Sequence, residues 1–246
     1  MAMSTITHDR TILDTLNGMD AEELLQWAGE HHGAQAGIVT SFQNTGCVMI
    51  DMASRATPGL RVLTVDTWRL HEETYSFIEE IEERYQISVE RYEPYPKSVH
   101  RMIQQHGEFL FFDSKAKQEY CCHIRKVEPN RRALATLDVW ITGLRKDQSD
   151  TRQETPKVSL TQQDGRSLLK LCPLAEWSEE DVWAYIHEHN VPYNRLYDKG
   201  YTSIGCIICT TPTKPGEDKR AGRWRWFNSL EQSNKECGIH NGGSGI

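Results

Sequence analysis

The 246-residue chain lacks any apolar run approaching the roughly 20 residues that a membrane-spanning helix needs. Its opening stretch, MAMSTITHDRT, has no apolar core of the kind that drives secretion. Both absences lead us to expect a cytoplasmic protein with no membrane partner. An excess of positive charge is missing too: 28 Lys and Arg face 35 Asp and Glu, for a formal net charge of −7. That balance speaks against the broad basic face of a nucleic-acid binder. There is no internal repeat, low-complexity tract or long linker. A chain this long can bury a full core, so one domain over residues 1–246 is expected, with 225–246 as a mobile C-terminal segment.

What is present alternates. Helix-period stretches take turns with short β-branched runs, the pattern of a parallel sheet flanked by helices. Helices are predicted over Ala21–His32, Glu72–Arg84, Lys97–Gln105 and Glu179–Glu188, the last opened by a Ser178/Asp181 capping box. Strands are predicted at 36–41, 61–65, 87–91, 139–142 and 168–171. After the first strand comes the polar turn Phe42–Gly46, then a helix over Cys47–Ala53. Strand, polar turn and helix together present backbone amides to a phosphate. Beyond about Asn190 the alternation fades into Gly-, Pro- and Cys-containing loops.

Seven cysteines in a reducing compartment are not expected to form structural disulfides. Cys121 and Cys122 are adjacent, and Cys206 and Cys209 form a C-x-x-C. Four thiolates match the requirement of a [4Fe–4S] cubane. A four-cysteine zinc site, a thioredoxin-type redox pair and four unrelated cysteines are the competing readings. Cys237 stands apart, followed by Gly238 and then by His240, a setting that favours a reactive thiolate. Cys47 and Cys172 fall inside predicted core elements and read as buried small residues.

Between Lys214 and Arg225 the chain gathers Lys214, Lys219, Arg220, Arg223 and Arg225 against Glu217 and Asp218 only. In an acidic protein such a patch reads as a phosphate or sulfate site, with a solvated loop as the alternative.

Five stretches together resemble the assimilatory sulfonucleotide reductases over almost the whole length: VDTWRLHEETY (65–75), CCHIRKVEP (121–129), TGLRKDQSDTR (142–152), GCIICT with PGEDKRAGRW (205–224), and KECGIH (235–240). The cysteine doublet with a distant C-x-x-C resembles the branch that carries a [4Fe–4S] cluster and chiefly uses adenosine 5'-phosphosulfate. The branch without those cysteines uses the 3'-phosphorylated nucleotide.

The resemblance implies an α/β fold, a parallel twisted sheet flanked by helices of the adenine-nucleotide α-hydrolase-like kind related to N-type ATP pyrophosphatases. It implies cluster ligation by Cys121, Cys122, Cys206 and Cys209, and attack on the sulfate sulfur by Cys237. Ser41, Asn44, Thr45, Asp66, Thr67, Arg69, Lys126, Arg145, Arg152, Arg220, Arg223 and His240 would bind the substrate. Thioredoxin is the implied electron donor, expected from outside the chain, and a homo-oligomer is the implied state.

Two departures from that family's pattern stand out. The phosphate-binding turn, close to SFSGAED in the family, reads Ser41-Phe-Gln-Asn-Thr-Gly-Cys47, without the acidic pair. The family's LDTGRL reads VDTWRL, so Trp68 is expected to narrow the pocket or to stack on adenine. Both leave the choice between the two sulfonucleotides open. An adenylating ATP pyrophosphatase needs an SGGxDS loop, which is absent. A non-catalytic iron–sulfur sensor would have no need of Cys237 or the clustered arginines.

Overall fold

The structure is a computed structural model that describes residues 10–227. At its centre lies a six-stranded sheet in the order β3-β2-β1-β4-β6-β5. The strands are β1 (Ala36–Val39), β2 (Arg61–Val65), β3 (Val89–Tyr92), β4 (Val139–Ile141), β5 (Val158–Gln163) and β6 (Arg166–Leu171). All neighbours pair in parallel except β5, which is antiparallel to β6 at the edge. The central strands are apolar on both faces because both are covered.

Side chains alternate across the sheet, as the pleat requires. Ile38, Val62, Val139 and Ile141 face one side, where α2 (Ala21–His32), α3 (Asn44–Ala56), α4 (Glu72–Tyr85) and α8 (Glu179–Glu188) pack. Leu63, Trp140 and Leu168 face the other, against Ala133 and Leu134 of α7 (Glu128–Leu134). Three further helices, α1 (Arg10–Gly18), α5 (Pro96–His106) and α6 (Lys115–Cys122), complete the set among the described residues. None of the helices is long and apolar enough to cross a membrane.

The helices α2 and α8 and the strand β2 match their predicted bounds, and the Ser178/Asp181 capping box is formed. Elsewhere the bounds shift. β1 ends at Val39 rather than Ser41, and α3 begins at Asn44, three residues before the predicted start. Of the residues read as a turn, Asn44–Gly46 are the first turn of the helix and Gln43 is its N-cap. Three elements go beyond those predicted: α1, the α6–α7 run and the edge strand β5.

α6 and α7 are joined by a π turn over His123–Val127, so that 115–134 is one continuous helical run. Turns of this kind widen the helix by closing i→i+5 bonds and occur often at functional sites. From β1 the chain builds outward to β2 and β3 on one side, and later to β4 on the other. The carboxyl ends of β1 and β4 therefore flank a topological switch point, where open α/β sheets bind ligands.

Candidate active site

A cleft opens at that switch point. Its walls are the carboxyl ends of β1, β2 and β4, the first turn of α3, residues 126 and 130 from the α6–α7 run, and loops 143–152 and 202–223. Among the residues expected to bind substrate, Ser41, Asn44, Thr45, Thr67, Lys126, Arg145, Arg152, Arg220 and Arg223 all line this one cleft, with Cys206 at its border.

One half of the cleft is built on α3. Gly46 sits in its first turn because a Cβ there would fall 2.0 Å from the Thr40 hydroxyl. The Asn44 amide donates to the hydroxyl of the half-buried Tyr197 (3.2 Å) and the Thr45 amide to Asn44 Oδ1 (2.8 Å). Arg145, buried, donates to Thr45 Oγ1 (2.5 Å) and is braced by Asp147 (2.9 Å). The neighbouring Arg152 donates to Gln148 Oε1 (2.5 Å). Lys219 lies between Asp147 (3.5 Å) and Glu179. The cations of this half are thus held in place by carboxylates and amides of the chain.

The other half of the site, which meets the cleft at Cys206, contains the four cysteines. Cys121, Cys122, Cys206 and Cys209 share a single buried cluster with Phe111, Met102 and Trp224, each thiol residue 6–7 % exposed. The loop carrying the C-x-x-C is anchored at several points. Thr210 bridges Arg223 in antiparallel fashion, the Trp224 amide donates to the Cys209 carbonyl (3.0 Å), and Gln43 Oε1 accepts from the Ile204 amide (2.9 Å). Gly205 leaves room for the Arg223 guanidinium, which would lie 2.6 Å from a Cβ at that position.

Four cations surround the thiols. Burial alone would raise the Cys206 thiol, but Lys126, a hydrogen bond to Thr67 Oγ1 (3.3 Å), Arg223 and Arg125 outweigh it and hold the thiol below its ordinary range. Cys209, where burial dominates, is pushed up to about 12. For Cys121 burial again raises the thiol, opposed by Arg69, Arg125 and Lys126. Three guanidinium groups here carry buried N–H donors with no acceptor among the described residues: Arg69 Nη1, Arg125 Nε and Arg223 Nε. A buried donor without a partner costs about as much as a lost hydrogen bond.

No three His, Cys, Asp or Glu side chains stand together as a single-ion site would require, among the described residues. Four corners of a cubane hold their thiolates further apart than one zinc ion does. Four buried thiols ringed by unsatisfied cationic donors suit an anionic iron–sulfur group, whose sulfurs accept hydrogen bonds.

Two of the expected substrate residues lie off the cleft. Asp66 accepts from the Trp68 amide and the Tyr75 hydroxyl, both at 2.8 Å, and so shapes the turn after β2. Arg69 lies over Phe111 (5.1 Å) on the cysteine side and pairs with Glu108 (3.6 Å). Trp68 neither narrows the cleft nor lines it; it is 38 % exposed at a left-handed φ of 57°, a conformation that favours glycine.

Of the basic run, Lys219, Arg220 and Arg223 line the cleft, while Arg225 pairs with Glu217 (2.8 Å). The first residues of the expected mobile segment, 225–227, form a 3-10 turn in which Trp226 Nε1 donates to the Phe111 carbonyl (3.2 Å). Cys237 and His240 lie outside the described residues. Gln43, Asn130 and Tyr197 are cleft residues that the motifs did not mark.

The fold and this cation-lined cleft define an α/β protein of the adenine-nucleotide α-hydrolase-like class. Consistent with that fold, the chain superposes on Candida glabrata FMN adenylyltransferase with a TM-score of 0.55 at 14 % identity, over 91 % of this chain and 76 % of that one. The chain belongs to the phosphoadenosine phosphosulfate reductase domain family, whose model matches residues 35–212.

Among its relatives, adenosine 5'-phosphosulfate reductase of Allochromatium vinosum is 44 % identical over 201 residues, covering 82 % of this chain and 77 % of that protein. Adenosine 5'-phosphosulfate reductase 2 of Bacillus subtilis is 36 % identical over 244 residues, covering 96 % and 98 %. The phosphoadenylyl-sulfate reductase of Candida auris, solved as a phosphate complex, superposes with a TM-score of 0.70 at 30 % identity, over 84 % of this chain and 99 % of that one.

Proposed function

We propose that the protein reduces adenosine 5'-phosphosulfate to sulfite and AMP in sulfate assimilation, with a thioredoxin as reductant. The observation that carries this reading is the convergence of Lys126, Arg145, Arg152, Arg220 and Arg223 on one cleft bordered by the cysteine cluster. A polyanionic phosphosulfate needs several preorganised cations before a thiolate can approach it. The names of the relatives agree with the nucleotide.

In this reading the Cys237 thiolate attacks the sulfate sulfur, the S–O bond to AMP breaks, and an S-sulfonate remains on Cys237. One thiolate of the reductant attacks the Cys237 sulfur and sulfite leaves with the bonding electron pair. The reductant's second thiol then frees Cys237, so that the dithiol is oxidised to a disulfide. His240 follows the nucleophile and would bind near the sulfonate.

Cys121, Cys122, Cys206 and Cys209 would hold a [4Fe–4S] cluster. When bound, it supplies a fixed negative charge and sulfur acceptors for Arg69, Arg125 and Arg223. Lys126, whose charge acts on Cys121, Cys206 and Cys209, is placed to serve both the cluster and the substrate.

Sulfite release from each sulfonucleotide with thioredoxin present tests the reading. Turnover of adenosine 5'-phosphosulfate is expected. Turnover of the 3'-phosphorylated form alone would replace the substrate, and release from neither would overturn the activity.

A further inference from the structure

One polar group in the cleft has no part in the chemistry above. Asn130 lies in the first turn of α7, lines the cleft and is 4 % exposed. Its Oδ1 is buried with no hydrogen-bond partner among the described residues. An amide that deep costs stability unless something completes it, and the open side of Asn130 is the cleft.

Its surroundings differ from those of the cations. One turn further along α7, Ala133 and Leu134 pack with Trp140, and Val39 packs against the same group. Val39, Val65 and Trp140 all line the cleft as well. Asn130 therefore projects at an apolar wall of a kind that accepts a flat aromatic ring. Along one continuous helical run the chain presents thiols at 121 and 122, a cation at 126 and an amide at 130. The phosphosulfate end of a substrate belongs with Lys126 at the cysteine border, which leaves its other end for Asn130.

We propose that Asn130 reads the nucleobase, with Oδ1 accepting a hydrogen bond from an exocyclic 6-amino group, so that the cleft selects adenine over a 6-oxo purine. An asparagine amide offers an acceptor and a donor side by side, the complement of the adenine 6-amino group and ring nitrogen. With the amide in the orientation that buries Oδ1, a 6-oxo base would set oxygen against oxygen and leave Oδ1 unpaired. This rests on the adenosine phosphosulfate reading of the site.

The test is calorimetric binding of AMP and IMP to the anaerobically purified full chain, comparing the parent with Asn130→Leu and Asn130→Asp. The parent should prefer AMP by about tenfold to a hundredfold, the range expected for one buried hydrogen bond. Asn130→Leu should lose that ratio by weakening AMP while IMP changes little. Asn130→Asp, which keeps an acceptor, should keep most of it.

A parent that prefers AMP and a Leu variant that weakens both nucleotides equally would make Asn130 a structural residue, overturning the proposal and leaving the activity intact. A parent that binds AMP no better than IMP overturns the proposal in the same way. A parent that binds neither, and releases no sulfite, overturns the functional reading itself.

Discussion

The two halves of the site, the α3 side of the cleft and the cysteine cluster beside it, solve the same problem, burying positive charge, in opposite ways. On the α3 side Arg145 has Asp147 and Thr45, Arg152 has Gln148, and Lys219 has Glu179 and Asp147. On the cysteine side Arg69 Nη1, Arg125 Nε and Arg223 Nε are buried without acceptors among the described residues. Buried ionic groups are tolerated when paired and hydrogen-bonded, and are costly when one partner is missing. The α3 half is electrostatically complete from the protein alone. The cysteine half leaves those three N–H groups unpartnered, and in the proposed reading an anionic group among the thiols would accept from them.

The largest effect should come from outside both halves. Cys237→Ser is expected to abolish sulfite release, because a serine hydroxyl stays protonated near neutral pH and cannot replace an attacking thiolate. Iron content and AMP binding should stay at parent values. Without thioredoxin the parent should stop after one AMP per chain, with an SO₃ adduct on the Cys237 peptide seen by mass spectrometry. An adduct on Cys206 or Cys209 would mean that the nucleophile lies within the cysteine half.

Next comes loss of the anion. Anaerobic protein should carry about four irons per chain, and Cys206→Ala should lose them. Proteolytic nicking should then appear within 201–227, while α3 and α8 keep their hydrogen-exchange protection. A colourless parent holding one zinc would break the comparison at its root.

Single cations rank below the ligands. Lys126→Met, Arg220→Met or Arg223→Met should each cost roughly 2–4 kcal/mol of transition-state stabilisation, the scale of one preorganised donor, with iron retained. Activity within about threefold of the parent would remove the residue from the mechanism.

Glycine substitutions probe how tightly each half is built. Gly46→Ala meets the Thr40 hydroxyl at 2.0 Å and Gly205→Ala meets Arg223 at 2.6 Å. Each should lower stability by about 1–3 kcal/mol in thermal unfolding, as overpacking does. The smallest change is expected of Trp68→Gly, which relieves a left-handed residue outside the cleft. Its stability should move by no more than about 1 kcal/mol, with turnover preserved.

Much of this architecture is legible in the residues. Strand β2 and helices α2 and α8 follow directly from apolar period and capping, and each of the four motif stretches within the described residues contributes to one cleft. Other parts were hidden for identifiable reasons. The α6–α7 run is interrupted by a π turn, and its cysteines and cations read as ligands before they read as a helix. Edge strand β5 alternates only weakly, although the Asp164-Gly165 pair at its end, both at positive φ, is a hairpin signal. Asn44 and Thr45 have turn chemistry, so their place in the first turn of α3 required knowledge that Tyr197 supplies a partner from 153 residues away. The roles of Asp66 and Arg69 were invisible for the same reason, since both depend on contacts that only the fold creates.

The order of elements along the chain carries a consequence for assembly. Every strand of the sheet and the last long helix, α8, precede residue 189, whereas the C-x-x-C begins at 206 and Trp224 closes the cluster around it. The doublet at 121 and 122 sits on a helical run that forms from local contacts, but its partners lie more than eighty positions downstream. Closing a loop that long is entropically costly until the sheet has already fixed both ends. A chain emerging from the ribosome therefore displays two thiols on a helix well before it can offer four. The cysteine half is the last of the described structure able to form, and in the proposed reading a cluster that needs all four thiols would be delivered to a molecule whose sheet is already folded.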